Sequence, residues 1–447
     1  MNTYRYFKQL IFISLLGILP ACDVLDVNPY DKITDEQAYK NKAGIEKGIL
    51  GSYSELQSLS YYGRAYLISS DLAADNLTHP TDATQADYAE IDNNTLLAEN
   101  GVADGIWSAV YSAINVANVV IDKVPAMTDM TDTEKNTALG ELYFLRALNH
   151  FNLMNYFGAI PVKTKPTVGT SGLDVAKNTT EEVYAQIIAD LTFAESHLDP
   201  ATSTKTRATK YAATALLARV YLYQKNYALA YAKADDVILH GGYTLLPDYA
   251  SVFSSDGSAE TIFEVEFNQL DRTRIAEFNF PKTLNGRAEV KVDPALLSAY
   301  LPDDERKAVS TAASGTYVYA KKQNDLSLGD QNVIVLRLAE MYLIKAEAEA
   351  NMPTAVISGI QSNLNTVRHR AGLGDTDAAT ISELKLAIEK ERRLEFAFEG
   401  HRWFDLVRTN RAVDVLPGVS NANQMLFPIP LSELNTNSLM IQNTGYN

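Results

Sequence analysis

The fold is decided near the C-terminus by the stretch Glu391-Arg392-Arg393-Leu394-Glu395-Phe396-Ala397-Phe398-Glu399-Gly400-His401-Arg402-Trp403-Phe404-Asp405-Leu406-Val407-Arg408, called the signature below. Apolar residues recur at helical spacing on both sides of Gly400. Glycine is the residue that most often follows the end of a helix, because it adopts left-handed backbone angles without strain. The sequence therefore predicts two short helices that meet at an angle, with Gly400 ending the first.

Charged residues of opposite sign lie one helical turn apart in and beside the signature. The predicted pairs are Glu389 with Arg393, Arg392 with Glu395, and Asp405 with Arg408. Such pairing keeps a carboxylate ionised, whereas a general acid needs a raised pKa. We therefore expect a partly buried ion-pair network that clamps these helices to the rest of the fold, in preference to a catalytic Glu/His/Asp cluster.

The signature resembles that of the SusD/RagB family, the surface-exposed outer-membrane lipoproteins of Bacteroidota that capture nutrients, mostly glycans. Further segments resemble the family in the same order along the chain. They are the Trp107-Tyr111-Ile114-Asn118 helix, the helix and Gly-Ala-Ile-Pro turn of residues 140–162, and residues 294–306, 337–344, 364–373 and 427–446. The resemblance therefore covers nearly the whole chain.

The hydrophobic pattern predicts a mostly α fold. Residues 211–223 and 227–240 form a helical hairpin with small alanines where helices cross closely, as in tetratricopeptide repeats, and residues 182–198 and 337–350 look like degenerate copies. One hairpin cannot bury its own apolar face, so several must stack. Strands are predicted at 261–267 and 316–320. The resemblance implies a SusD-like fold with stacked tetratricopeptide-like hairpins and a loop-rich second half with minor β structure. One compact body is expected, from an N-terminal region 34–250 and a C-terminal region 251–447.

The N-terminus predicts export and lipid attachment. A positively charged start precedes an apolar run at 10–19, which is too short to span a bilayer comfortably. Leu19-Pro20-Ala21-Cys22 follows and resembles a lipobox, so residues 1–21 are predicted to be a signal peptide and Cys22, the only cysteine, to carry lipid. Residues 22–33 then form a lipidated tether. The alternative is an ordinary signal-peptidase site with a free thiol at Cys22.

Composition argues against several classes of function. The formal net charge of −16 disfavours binding of nucleic acid or of anionic lipid surfaces. No phosphate loop, dinucleotide fingerprint or nucleophile motif occurs in the sequence. One cysteine and six scattered histidines show no metal-ligand spacing, so neither a cofactor nor a metal is predicted.

A glycan site needs flat aromatic side chains for the apolar faces of sugars and polar side chains for the hydroxyl groups. The sequence has 25 tyrosines, whereas both tryptophans, Trp107 and Trp403, belong to structural motifs, so stacking by Tyr or Phe is expected. Two irregular regions, 61–100 and 268–287, combine suitable residues. The candidate ligand residues are Tyr61, Tyr62, Arg64, Asn76, His79 and Tyr88 in the first region and Arg272, Arg274, Phe278, Phe280 and Arg287 in the second.

The resemblance implies a lipid-anchored protein on the outside of the outer membrane. It would bind oligosaccharides or polysaccharides and deliver them to a SusC-like TonB-dependent transporter, breaking no bond. Two alternatives stay open. The tetratricopeptide-like surface suits capture of peptides or proteins, as in RagB-type uptake. Adjacent acids such as Asp303 and Asp304 allow a glycan-cleaving enzyme, whose carboxylates are defined by their separation across a cleft.

Overall fold

The structure is a computed structural model that describes residues 35–169 and 172–446. The predicted signal peptide 1–21, the tether 22–33 and the predicted lipid attachment at Cys22 lie outside the described residues. Within the part of the chain that is described, no helix combines the length and the apolar character needed to cross a membrane.

The first half is helical. Its α-helices are α1 Asp35–Ala38, α2 Lys42–Ser54, α3 Ala65–Leu72, α4 Ala86–Asp92, α5 Gly101–Lys123, α6 Asp132–Phe157, α7 Thr180–His197, α8 Lys210–Tyr223 and α9 Tyr227–His240. The predicted hairpin is confirmed as α8 and α9. One expectation is wrong in part: region 61–100 is not wholly irregular, because it contains α3 and α4.

The second half carries shorter elements, as expected. Its helices are α10 Ile275–Asn279, α11 Pro294–Ala299, α12 Glu305–Ser310, α13 Leu338–Asn351, α14 Ile357–Arg370, α15 Ile381–Glu395, α16 Arg402–Arg408, α17 Ala412–Val415 and α18 Leu431–Thr436. The strands are β1 Leu77–Thr78, β2 Thr261–Val265, β3 Lys291–Val292, β4 Thr311–Ser314, β5 Tyr317–Ala320 and β6 Val333–Arg337. They form three two-stranded antiparallel sheets, β1 with β3, β2 with β6, and β4 with β5.

The long helices stack in chain order. Helices α5 to α9 each pack on the next, and α9 packs on α13, which packs on α14. Residues 241–337 are thus inserted between two neighbouring members of one stack. The main apolar cluster contains residues from Leu56 to Met440, so both halves of the chain contribute to the same core.

Local signals explain where the long helices begin and end. Capping boxes start α6, α7 and α15 at Thr131, Thr179 and Thr380. In each box the threonine hydroxyl accepts a hydrogen bond from the backbone N–H of the third helical residue, which is a glutamate. The carboxylate of that glutamate accepts in turn from the backbone N–H of the threonine. Helix α6 ends before Gly158, which has a φ of +72°. This confirms the stop predicted for that helix.

The signature forms two helices, but their junction differs from the expectation. Helix α15 ends at Glu395, five residues before Gly400, so Gly400 does not follow the helix end directly. Gly400 has a φ of +81°, and a Cβ atom there would lie 2.6 Å from Leu67 Cδ2. The positive φ favours glycine, and any larger residue would also force the Leu67 side chain of α3 to move.

The signature rests on a group of ten charged side chains, called the buried network. Its five acids and five bases are Glu260, Asp304, Glu391, Glu395 and Glu399 with Arg306, Lys322, Arg337, Arg368 and Arg370. Side-chain exposure is 8 % or less for every member except Arg368. The predicted ion-pair network is therefore confirmed, and it is largely buried.

The ion pairs in and beside the signature do not follow the one-turn spacing that was predicted. Of the three predicted pairs only Asp405 with Arg408 forms, at 2.7 Å. The nearest partners of the other residues are Asp405 for Arg392, the arginines 306, 337 and 370 for Glu395, Asp75 for Arg393, and Arg411 for Glu389. Buried charges need a partner more than exposed ones do, so these side chains bind across elements rather than along their own helix.

Candidate functional site

The two irregular regions predicted to bind ligand meet in space. Strand β1 of the first region pairs with β3, which directly follows the second. The Arg274 N–H donates to the Gly63 carbonyl at 2.9 Å, and the Thr84 hydroxyl donates to Glu289 at 2.5 Å. The regions therefore form one continuous surface, although residues 101–267 separate them in the chain.

Most of the aromatic candidate residues are buried beneath that surface. Tyr61 and Tyr88 are 0 % exposed, Phe278 1 % and Tyr62 3 %. The Phe278 ring is covered by the Arg64 and Arg287 guanidinium groups, whose centres lie 4.2 and 4.8 Å from the ring centroid. A sugar needs an exposed ring face, so the expectation that Tyr61, Tyr62, Tyr88 and Phe278 form a stacking platform is wrong.

Hydrogen bonds show what these tyrosines do. The Tyr61 hydroxyl donates to Asn149 at 2.8 Å, and the Asn152 amide donates to the Tyr61 and Tyr62 hydroxyls at 2.6 and 2.9 Å. Burial raises the pKa of Tyr62 to about 12, which keeps the phenol neutral. These contacts fix the first region to α6.

Asn76 is also structural. It is fully buried, donates to Asp71 at 2.6 Å and accepts from Arg393 at 3.0 Å. His79 is half-buried, and its Nε2 atom has no hydrogen-bond partner among the described residues. Phe280 is half-buried against Tyr319, with 4.6 Å between ring centroids.

An open cleft of about 560 Å³ lies where the end of α2 faces the start of the second region. We call it the loop cleft. Its lining residues are Ser54, Glu55, Gln57, Ser58, Leu59, Leu270, Asp271, Arg272, Arg274 and Glu277. Two of the predicted residues, Arg272 and Arg274, therefore lie together in it. Arg287 is exposed but does not line the cleft.

Part of the cleft wall is held by internal hydrogen bonds. Arg274 binds Glu277 through two N–H groups at 2.6 and 2.9 Å, and Gln57 donates to the Glu266 carbonyl at 2.8 Å. These contacts orient the wall. Their groups are not free for a ligand without exchange of partners.

Three neighbouring residues supply free groups. Leu270 is 92 % exposed, and the Asp271 and Arg272 side chains are exposed and make no hydrogen bond with the described residues. Arg272 passes over Gly329, where a Cβ atom would lie 3.0 Å from Arg272 Cβ. Close contact with a glycine from another loop thus supports the guanidinium while leaving its donors free.

The sequence pattern missed the residues of the cleft wall at 54–59. Ile45, Ile49, Tyr53 and Leu56 recur at helical spacing and predict a helix from Ala43 to Leu59, whereas α2 ends at Ser54 and is followed by a 3-10 turn at Glu55–Gln57. The two serines Ser54 and Ser58 were the available signal, because serine favours turns over helix interiors.

Two family models match this chain. The model described as "Starch-binding associating with outer membrane" matches residues 23–222, and that of the SusD family matches residues 297–418. Among curated proteins, the chain is 28 % identical to SusD-like protein P2 of Formosa agariphila, covering 98 % of this chain and 99 % of that protein. It is 25 % identical to the starch-binding protein SusD of Bacteroides thetaiotaomicron, covering 99 % of each.

Solved structures share the fold. A laminarin-binding SusD-like protein superposes with a TM-score of 0.80 at 26 % identity, covering 91 % of this chain and 100 % of that one. A SusD superfamily protein from Bacteroides vulgatus gives a TM-score of 0.83 at 21 % identity, covering 91 % of this chain and 99 % of that one. The predicted mostly α fold with minor β structure is confirmed by these likenesses.

Proposed function

This chain belongs to the SusD/RagB family, and from that premise we propose that it is a carbohydrate-binding protein that holds its glycan in the loop cleft. Relatives of similar sequence or structure are named for binding starch or laminarin. The observation that carries the proposal is the set of free groups in the cleft, namely the Asp271 carboxylate, the Arg272 guanidinium and the exposed Leu270 side chain.

These groups suit a sugar in different ways. A carboxylate accepts hydrogen bonds from two neighbouring hydroxyls, and a guanidinium donates to ring and hydroxyl oxygens. Leu270 supplies an apolar contact for the C–H face in place of an aromatic ring. The cleft is open and its free groups are few, so binding is expected to be moderate in strength and readily reversible.

Delivery of the glycan is the second part of the proposal. The protein is anchored to the outer membrane by lipid on Cys22, faces the exterior and hands its ligand to a SusC-like TonB-dependent transporter, which it covers as a lid. The lipobox-like Leu19-Pro20-Ala21-Cys22 and the family membership support this part. Binding and hand-over break no bond, so no catalytic residue is assigned.

Affinity electrophoresis of the chain from Cys22 onward tests the binding proposal against neutral and acidic polysaccharides. Release of reducing ends is measured in parallel. We expect retardation by at least one glycan without release. Retardation with release indicates a glycan-cleaving enzyme, and retention of peptides with no glycan retardation favours the peptide-capture alternative.

Two arginines of the same region give a matched comparison. Arg272→Ala is expected to weaken glycan binding about tenfold to hundredfold, as for loss of a charged hydrogen bond. Arg287→Ala removes an exposed arginine outside the cleft and should leave binding unchanged. The reverse result, with only Arg287→Ala impaired, would place the glycan elsewhere on this surface. Failure of a transporter to co-purify from mild detergent extracts would count against hand-over.

A further inference from the structure

A second cavity, called the C-terminal cavity, lies apart from the loop cleft. It measures about 720 Å³ and shares no lining residue with that cleft. Its walls come from the end of α6, the start of α7, the end of α8, α16 and the C-terminal tail at residues 422–444. Its volume falls in the range of sites for small ligands, roughly 300 to 1,000 Å³.

The charge lining this cavity is opposite to that of the whole chain. Three bases and no acid line it among the described residues, although the chain carries a formal net charge of −16. Arg408 is balanced, because it binds Glu347 at 2.5 and 2.8 Å and Asp405 at 2.7 Å. Lys177 and Lys225 have no carboxylate partner within the part of the chain that is described, so the cavity keeps two uncompensated ammonium groups.

The two lysines differ in their exposure to solvent. Lys177 is half-buried, and its ammonium group donates to Asn443 at 2.9 Å while burial lowers its pKa. Asn443 itself donates to the carbonyls of Phe157 and Phe427, which fixes its position. Lys225 is exposed and also lines the cavity.

Neutral groups complete the lining. Asn155, Asn410 and Asn423 make no side-chain hydrogen bond with the described residues, so each amide is free to donate and to accept. Tyr184 is half-buried and lines the same wall, and burial raises its pKa to about 12. Paired donors and acceptors beside an aromatic ring suit the hydroxyl groups and the C–H face of a sugar.

We propose that the C-terminal cavity is a second binding site, which takes a sugar unit bearing a carboxylate or a sulfate group. Lys225 and Lys177 bind the anionic group, the free asparagine amides bind the hydroxyls, and Tyr184 contacts the ring. The overall negative charge repels anions elsewhere on the surface, so this cavity is a place where an acidic sugar gains attraction. The inference does not depend on the loop cleft, because the two sites share no residue.

Ligand-observed saturation-transfer NMR on the chain from Cys22 onward tests the proposal with small probes. Galacturonate and galactose 6-sulfate are compared with neutral galactose and with N-acetylglutamate. We expect one or both acidic sugars to bind and galactose to bind at least tenfold more weakly, since a charged hydrogen bond contributes about that factor. Binding by only one acidic sugar identifies the anionic group.

Variants identify the cavity as the place of binding. Lys225→Ala removes an exposed lysine without an ion pair and should weaken acidic-sugar binding about tenfold. Lys390→Ala, at an exposed position of α15 outside the cavity, is the matched control and should bind as wild type. Arg272→Ala in the loop cleft should also leave this binding unchanged, which separates the two proposals.

Several outcomes would overturn the proposal. Absence of binding by both acidic sugars would do so, and so would equal binding by galactose. Equal binding by N-acetylglutamate would show that a carboxylate suffices and that no sugar is recognised. Equal affinities of wild type, Lys225→Ala and Lys390→Ala would place any acidic-sugar binding outside the cavity.

Discussion

The buried network makes Glu395 the residue whose loss should most weaken the fold. Its carboxylate is 0 % exposed and accepts from Arg337 at 2.6 Å, from Arg306 at 3.2 Å and from Arg370. Glu395→Ala leaves these three guanidinium groups without their shared acceptor. Arg306 remains paired with Asp304, and Arg370 and Arg337 remain paired with Glu260. The network loses one of its acids and none of its bases, so it carries one uncompensated positive charge in the interior.

Two arguments give the size of the effect. Removing one member of a buried ion pair typically costs about 3–5 kcal/mol of unfolding free energy. Burial alone raises the pKa of Glu395, but Arg370, Arg337 and Arg306 outweigh it and lower the pKa from 4.5 to about 2. A difference of that size corresponds to about 3 kcal/mol in favour of the ionised form. We therefore expect Glu395→Ala to lose about 3–5 kcal/mol at neutral pH.

Urea denaturation followed by far-ultraviolet circular dichroism measures this loss. Glu389→Ala on the same helix is the control, because Glu389 is partly exposed and its nearest partner, Arg411, is partly exposed too. Glu389 also lies 3.6 Å from Arg402, which keeps Asp75 at 2.7 Å, so this change should cost only about 1 kcal/mol. The folded pKa of Glu395 lies below its ordinary value, so its contribution is complete above about pH 4.5 and is lost as the pH falls towards 2. The difference between wild type and Glu395→Gln should shrink over that range. Equal losses for Glu395→Ala and Glu389→Ala would refute the reasoning.

Two further predictions concern α3 and its contact with the signature. Burial raises the pKa of Asp71 to about 6, although hydrogen bonds from Asn76, Phe398 and Gly400 act to lower it. Because the folded pKa lies above the ordinary 3.8, the stability of wild type relative to Asp71→Asn should fall by about 2 kcal/mol as the pH rises from 4 to 6, as measured by denaturation at each pH. Gly400→Ala, whose Cβ would lie 2.6 Å from Leu67, should cost about 2–4 kcal/mol. Gly315→Ala has a φ of +61° but open space and should cost only about 1–2 kcal/mol, so equal losses would contradict the close-contact argument.

The long helices could be predicted because their signals are local. Gly158 and the periodic apolar positions act within a few residues, and α8 and α9 formed close to the predicted bounds. Helix α6 ends before Gly158 as predicted, but it begins at Asp132, eight residues before the predicted start at Gly140. Region 61–100 was harder, because α3 is buried on every side. Its sequence Ala-Tyr-Leu-Ile-Ser-Ser-Asp-Leu therefore lacks the polar face that marks a surface helix.

The candidate site was predictable only in part. Aromatic and polar residues within a loop indicate a functional surface, and this placed Arg272 and Arg274 in the loop cleft. The same composition also describes a loop that packs inward, which is what Tyr61, Tyr88 and Phe278 do. Exposure depends on contacts between distant segments, such as Arg64 of one region lying over Phe278 of the other. No local pattern records that contact.

The charge pairs show why helical spacing failed inside the fold. An exposed pair one turn apart gains a few tenths of a kcal/mol, which suffices only where water solvates both partners. Arg392 and Glu395 are 1 % and 0 % exposed, so each must recover the much larger cost of leaving water. Glu395 does so with three arginines from other elements, and Arg392 does so with Asp405 of α16. The signature is thus rich in charge because it is the place where α15 and α16 are joined to α14, β6 and α12, and a pairing rule taken from one helix could not identify those partners.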